Sequence, residues 1–169
     1  MGDVDRPVYV VTLAYVDRPV YNDDMNAPAT PSIHDLPARE RILLTAHDLF
    51  YRDGIRATGI DRVIAVAGVT KVTFYRHFPS KTDLILAFLG YRHQRWISWF
   101  RDALHRHGGF SGVGVSALLP ALAEWLGDPA YRGCAFINTA VELGGSLPQA
   151  LELARSHKAD MTLLIVELL

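Results

Sequence analysis

Cysteine is nearly absent from this sequence, since Cys134 is the only one among 169 residues. A single cysteine excludes a disulfide framework within the chain and argues against a cysteine-based zinc site. The first residues lack the basic and then apolar pattern of a signal peptide, and no apolar run has the length expected of a membrane span. These absences predict a cytoplasmic protein with no membrane segment, no metal and no cofactor.

A strong net charge is also lacking, because 17 Lys and Arg nearly balance 18 Asp and Glu. The charges are unevenly distributed, however. Residues 37–96 carry ten basic and five acidic side chains, whereas the rest of the chain carries seven and thirteen. This asymmetry is typical of a polyanion-binding segment joined to one that binds no polyanion. Chance variation among solvated faces is the alternative explanation.

The alternating pattern of β-strands is missing after residue 36, and apolar residues recur there at helical spacing, which predicts an all-α fold. The first helix is expected from Pro37 to Gly54, and the second from a capping box at Thr58 and Asp61 to Gly68. Further helices are expected over Thr70–His77, from Lys81 to about His107, and over about 114–126, 130–143 and 147–169.

Residues 1–36 are rich in proline and are expected to be a disordered extension, with Val8–Tyr15 as an apolar stretch that has no obvious partner strand. The hexapeptide Val-Asp-Arg-Pro-Val-Tyr occurs at residues 4–9 and again at 16–21. Its six codons can spell the palindrome GTAGACCGGCCGGTCTAC. We hypothesise that residues 1–24 are translated operator DNA and that Met25 is the natural start. A peptide duplication without meaning at the DNA level is the alternative.

Two short helices joined at Gly68 form the pattern of a helix-turn-helix, which places its second helix in the DNA major groove. The beginning of that second helix carries Lys71, Val72 and Thr73, which suit base edges. Phosphate-binding side chains are expected after them, and the start of the long helix adds a positive dipole end. These side chains are Tyr75, His77 and Lys81.

Residues 58–84 resemble the TetR family of bacterial regulators, because Ala-Gly-Val-Thr, Phe-Tyr-x-His-Phe and Lys-x-Asp-Leu occur at the family's spacing. The resemblance extends over about residues 37–96, and an unrelated helical hairpin is the alternative. It implies a DNA-binding domain over 37–84 that continues into the long helix, and a regulatory and dimerisation domain over 85–169. The implied DNA-binding residues are Thr58, Thr70, Lys71, Val72, Thr73, Tyr75, Arg76, His77 and Lys81. Thr58 and Thr70 as simple helix caps, and Tyr75 as a partly buried core residue, are the alternatives.

The resemblance also implies a homodimeric repressor that binds a palindromic operator and is released by a small hydrophobic effector. The candidate effector site combines apolar rings with two polar side chains. Its residues are Trp96, Trp99, Phe100, Phe136, Asn138 and Glu142. An aromatic stripe at helical spacing that only fills the core is the alternative.

Two further functions stay open: an architectural DNA-binding protein without an effector, and a truncated fragment. The second arises because the apolar run Met161–Leu169 ends without a cap, where family members usually continue through another helix of the dimer interface.

No nucleophile–base pair is apparent, so no enzyme is expected. His105 and His107 do not share a helix face, which argues against a metal site, and Cys134 is expected to be a small core residue.

Overall fold

The computed structural model describes residues 33–169, which form seven α-helices and, within that range, no β-strand. The all-α prediction is therefore confirmed. The helices are α1 Ala38–Asp53, α2 Ile60–Ala67, α3 Lys71–His77, α4 Lys81–Arg106, α5 Leu118–Leu126, α6 Ala135–Leu143 and α7 Pro148–Val166. The hexapeptide repeat, Met25 and Val8–Tyr15 lie outside the described residues.

The first three helices form where the sequence predicts them. Gly54, with φ of 90°, ends α1, and Gly68 ends α2 in the left-handed conformation with φ of 62°, which only glycine adopts without strain. The Thr70 side chain accepts a hydrogen bond from the Thr73 N–H at 3.1 Å and so caps α3. Phe74 and Phe78 are buried, and they fix α3 against the rest of the bundle.

The expected capping box at Thr58 is wrong. Gly59 is the residue that precedes α2, and no side chain caps this helix. The Thr58 hydroxyl instead donates to the Gly54 carbonyl at 2.8 Å, and the residue is 0% exposed. A buried hydroxyl requires a partner, and the end of α1 supplies it. Thr58 therefore braces the loop between α1 and α2.

The long helix α4 joins two hydrophobic cores. Ser80 caps it by accepting from the Asp83 N–H at 3.1 Å. The first half of α4 packs with α1–α3 and also with the buried residues Phe136, Leu147 and Ala150 of the second half of the chain. The second core gathers the end of α4, α5 and the end of α7. The division of the chain at residues 84 and 85 thus falls within one continuous core, and it stays a prediction.

Structure begins earlier than the sequence indicates. Ile33–Asp35 form one turn of 3-10 helix, and Ile33 and Leu36 pack against the first core. The Arg41 guanidinium donates to the His34 carbonyl at 3.1 Å. Residues 33–36 of the expected disordered extension are therefore part of the folded chain.

The segments around α5 and α6 also differ from expectation. Residues 130–134 are not helical, because the Asp128 carboxylate accepts from the Ala130 N–H at 2.8 Å and Gly133 has φ of 92°.

Gly109–Leu126 reaches membrane-span length and composition, with 18 residues and a mean hydropathy of 1.3, contrary to expectation. Its backbone is non-helical at Ser111 and Gly112. The segment is therefore not one continuous helix, which is the form that a single helical span takes in a bilayer.

Candidate nucleic-acid interface and effector region

The left-handed residue Gly68 turns the chain so that α3 lies across α2 with one face outward. Its N–H bonds to the carbonyls of Ile64 and Ala65, which closes α2 tightly before the chain reverses. Because Phe74 is buried on the inner side of α3, the residues on the opposite side are exposed. We call this outer side the α3 face, and it consists of Thr70, Lys71, Val72, Tyr75 and Arg76.

An apolar side chain lies at the centre of the α3 face, because Val72 is 78% exposed. Lys71 lies beside it, 3.8 Å from the carboxylate of Asp61, and both side chains are exposed. Solvent screens such a pair, so Lys71 can leave it at little cost. Arg76 forms no ion pair within residues 33–169. The face thus offers two cations and one methyl-bearing side chain to a groove.

The other predicted contacts of α3 are less accessible. Tyr75 is 40% exposed, and its ring lies edge-on to Phe74 with centroids 5.3 Å apart, so only part of it faces outward. The Thr73 hydroxyl is within 2.9 Å of the Thr70 hydroxyl, which occupies it within the cap. His77 is half-buried. Thr58 cannot offer its hydroxyl to a phosphate, because that group is buried and bonded to Gly54. Thr58 is therefore removed from the predicted DNA-binding set, and the other residues of that set stay predictions.

Lys81 points toward the loop that follows α1. Its ammonium donates to the Ile55 carbonyl at 2.6 Å and lies 6.0 Å from the centre of the Phe50 ring. Burial lowers the pKa of Lys81, and the nearby Glu142 carboxylate opposes this shift. Lys81 thus ties the start of α4 to the loop between α1 and α2, and its predicted phosphate contact stays a prediction.

The six predicted effector-site residues separate into two groups. Trp96, Trp99 and Phe100 lie together on α4, with the Trp96 and Phe100 rings stacked at 4.6 Å. Phe136 stacks at 3.9 Å on His157, whose ring lies 5.2 Å from Trp96. This aromatic cluster is largely buried, and the Trp96 indole N–H has no hydrogen-bond partner within the described residues.

Asn138 and Glu142 line a separate cleft of about 440 Å³ between the end of α1 and α6. The Asn138 amide donates to the Arg132 carbonyl at 2.9 Å, and the Glu142 carboxylate accepts from the Arg56 N–H at 2.9 Å. We call this space the junction cleft. Its lining is Phe50, Tyr51, Arg52, Asp53, Gly54, Ile55, Phe88, Arg132, Ala135, Asn138, Thr139, Val141 and Glu142.

Tyr51 joins the same two parts of the chain at the other end of this cleft, and no pattern in the sequence indicates this role. Its hydroxyl donates to the Gly133 carbonyl at 2.9 Å and accepts from the Arg132 N–H at 3.0 Å. The guanidinium of Arg92 stacks on its ring at 3.9 Å and lies 3.2 Å from Nε2 of His47. Burial lowers the pKa of both Arg92 and His47.

His157 was also missed, although histidine within an apolar helical pattern is a visible signal. It is buried, its Nδ1 lies 3.1 Å from Nδ1 of His93, and its pKa is lowered to about 3 by burial and then by neighbouring positive charge. Cys134 is half-buried directly before α6, 3.8 Å from the Lys158 ammonium. Within residues 33–169, no three metal-ligand side chains lie together.

Comparison with known proteins identifies the family. Residues 42–88 match the family model of bacterial regulatory proteins of the tetR family. The solved structure of a TetR-family transcriptional regulator from Streptomyces coelicolor is 34% identical, with a TM-score of 0.67 over 82% of this chain and 66% of that chain. The chain belongs to the TetR family.

Of two curated relatives, one is a transcriptional activator and the other is a transcriptional repressor. The transcriptional activator FasR of Mycolicibacterium smegmatis is 39% identical over 72 residues, which are 41% of this chain and 33% of FasR. The transcriptional repressor BepR of Brucella suis is 24% identical over 133 residues, which are 78% of this chain and 64% of BepR. The chain therefore spans about a third of FasR and just under two thirds of BepR and of the Streptomyces structure.

Proposed function

We propose that this chain is a sequence-specific, DNA-binding transcriptional regulator. The observation that carries the proposal is the α3 face, where Lys71 and Arg76 flank the exposed Val72 at the outer side of a helix-turn-helix. Arg and Lys contact phosphates and guanine, and an apolar side chain contacts the thymine methyl. Tyr75, His77 and Lys81 are proposed as phosphate contacts at the rim of this face.

The proposed regulator acts as a homodimer in the cytoplasm on a palindromic operator, because one helix-turn-helix reads one half-site and a two-fold pair reads two. We propose that it represses transcription, and its match with the BepR repressor over 78% of this chain supports this choice. Release by a small hydrophobic effector is part of the proposal. The aromatic cluster around Trp96 and the junction cleft are its two candidate sites.

Footprinting on DNA upstream of the gene tests the proposal, with the palindrome of the hexapeptide repeat as a second probe. Protection of a two-fold site by the dimer, lost when a hydrophobic ligand is added, is the expected result. Protection that no ligand changes would instead favour an architectural DNA-binding protein. Absence of any site-specific protection would overturn the proposed function. A reporter gene placed behind the protected site distinguishes repression from activation.

A further inference from the structure

We propose that the junction cleft binds a small organic cation, an amine carried on an aromatic or branched hydrocarbon body, and that this ligand lowers DNA affinity. The inference rests on the proposed function for its effect on DNA, but the binding itself does not. The site differs from the aromatic cluster around Trp96, whose rings come from α4, Phe136 and His157 and do not line the cleft.

The size and floor of the cleft suit a compact apolar body. Its volume of about 440 Å³ falls within the range of small-molecule sites. Phe50, Phe88 and Ile55 supply the apolar floor, and Val141 lies at the exposed edge. The three floor side chains are almost completely buried, so the floor supplies apolar contact only, and the charge preference of the site rests on Glu142.

Glu142 provides the charged group that would hold the amine. One of its oxygens accepts from the Arg56 N–H at 2.9 Å, and the carboxylate forms no ion pair with a Lys or Arg within residues 33–169. The other lining carboxylate, Asp53, is already paired with Arg52 and Arg62 at 2.8 Å each. The Lys81 ammonium lies close enough for its charge to interact with Glu142 but beyond ion-pair distance, so Glu142 is the lining carboxylate that has no ion pair within the described residues. A carboxylate binds an ammonium through a strong charge-assisted hydrogen bond.

The position of the cleft explains how its ligand would act on DNA. Two hydrogen-bonded links between the first and second halves of the chain border it: Tyr51 with the Arg132–Gly133 backbone at one end, and Glu142 with Arg56 at the other. The loop held by Glu142 leads directly into α2 of the helix-turn-helix. An ammonium that draws the Glu142 carboxylate away from Arg56 would free this loop and change how α2 and α3 are presented.

Calorimetric titration of the full chain with a matched series tests the binding: 4-phenylbutylamine, 4-phenylbutanol and 4-phenylbutyrate share one body and differ in charge. We expect the amine to bind at least tenfold more tightly than the alcohol, and the carboxylate to bind most weakly. Glu142→Gln keeps an acceptor for Arg56 and should remove about tenfold of the amine's affinity while leaving the alcohol's unchanged. Glu152→Gln, an exposed carboxylate on α7, is the matched control and should change neither.

A second pair of variants tests the location. Val141→Trp narrows the edge of the cleft and should weaken the amine and the alcohol alike, whereas Ile137→Trp, an exposed α6 residue outside the lining, should weaken neither. Equal affinity for the amine and the alcohol, or tighter binding of the carboxylate, overturns the proposed ligand class. Unchanged amine affinity in both Glu142→Gln and Val141→Trp overturns the site.

Operator binding measured with and without the amine completes the test. We expect saturating amine to lower the affinity of the native chain for its footprinted site about tenfold, as is typical of coupled sites. Glu142→Gln, saturated at about tenfold higher amine concentration, should keep its operator affinity, because its neutral amide is not drawn away from Arg56. A native chain that binds DNA equally well with the cleft occupied overturns the proposed effect. A chain that binds no DNA overturns the proposed function instead, and leaves the calorimetric result standing.

Discussion

The carboxylate of Glu142, near the end of α6, accepts a hydrogen bond from the backbone N–H of Arg56 at 2.9 Å, across 86 residues of sequence. The same carboxylate lies close to Gly54, where a Cβ atom would be 3.3 Å from both of its oxygens. Gly54 therefore serves two purposes: its φ of 90° ends α1, and its missing side chain makes room for Glu142. The loop that leads into the helix-turn-helix is positioned by a residue of the second half of the chain.

Glu142→Ala should lower the free energy of unfolding by about 1 kcal/mol, because it leaves the Arg56 N–H without its charged acceptor at a partly exposed site. Glu142→Gln should recover most of this loss, since the amide oxygen accepts the same bond. Urea denaturation of the three proteins checks the order. If Glu142→Ala and Glu142→Gln lose the same free energy of unfolding, the charge of Glu142 and not its hydrogen bond stabilises the loop.

Tyr51→Phe should destabilise the protein by about 1–2 kcal/mol, because the Arg132 N–H and the Gly133 carbonyl both lose their partner. The stacking of Arg92 on the ring survives this change. Tyr131→Phe is the matched control, since the Tyr131 hydroxyl forms no hydrogen bond within residues 33–169 and its ring packs on Trp125. Thermal or urea unfolding measures both variants, and equal losses would contradict the bridging role of Tyr51.

The features that sequence reasoning predicted correctly depend on neighbours in the chain. The end of α2 at Gly68 and the start of α3 at Thr70 follow from local spacing and from the conformational freedom of glycine. The same reasoning placed Thr58 as a cap, and it was wrong there. The direction of the Thr58 hydroxyl depends on where the end of α1 lies, which local spacing does not determine.

The arrangement of the predicted effector-site residues was less predictable for the same reason. Trp96 and Phe100 lie one helical turn apart on α4, so their contact follows from spacing. Which side of α6 each residue faces is set by packing against α1 and α7, and it separates Phe136 from Asn138 and Glu142. Tyr51 and Gly133 are 82 residues apart, and no local pattern relates them.

Stability should fall with acid because of His157. Its pKa in the folded chain, about 3, lies below the ordinary value of 6.5, chiefly because burial disfavours the charged ring. Because the unfolded chain binds a proton at this ring more readily than the folded chain does, the contribution of neutral His157 to the free energy of unfolding is fully present above about pH 6.5. It is lost progressively as the pH falls from there toward about 3. His47, also lowered by burial, acts in the same direction.

The measurement is the free energy of unfolding in urea between pH 8 and pH 5. His157→Gln should reduce the dependence of this free energy on pH, and His47 should account for the dependence that remains. This expectation concerns the slope with pH and holds whatever stability the variant loses at pH 8. His105→Gln, which changes an exposed histidine, should retain the native dependence. An unchanged pH dependence in His157→Gln would refute the assignment.

Two exposed residues of the α3 face should separate affinity from sequence preference, provided that the proposed DNA-binding function holds. Arg76→Ala should weaken binding to all DNA sequences and reduce the slope of log affinity against log salt by about 1 per subunit, because one phosphate contact is lost. Val72→Ala should leave the salt slope unchanged and alter discrimination at one base pair per half-site by about 1 kcal/mol, through the thymine methyl contact.

Fluorescence anisotropy with the footprinted site and its single-base variants, at several salt concentrations, gives both quantities. Arg155→Ala is the matched control for loss of one positive charge, because Arg155 is exposed on α7 and pairs only with Glu152 at 3.3 Å within the described residues. It should keep the native slope, since charge far from the groove releases no counterion on binding. If Arg76→Ala and Arg155→Ala lower the slope equally, the α3 face is not the surface that meets the phosphates.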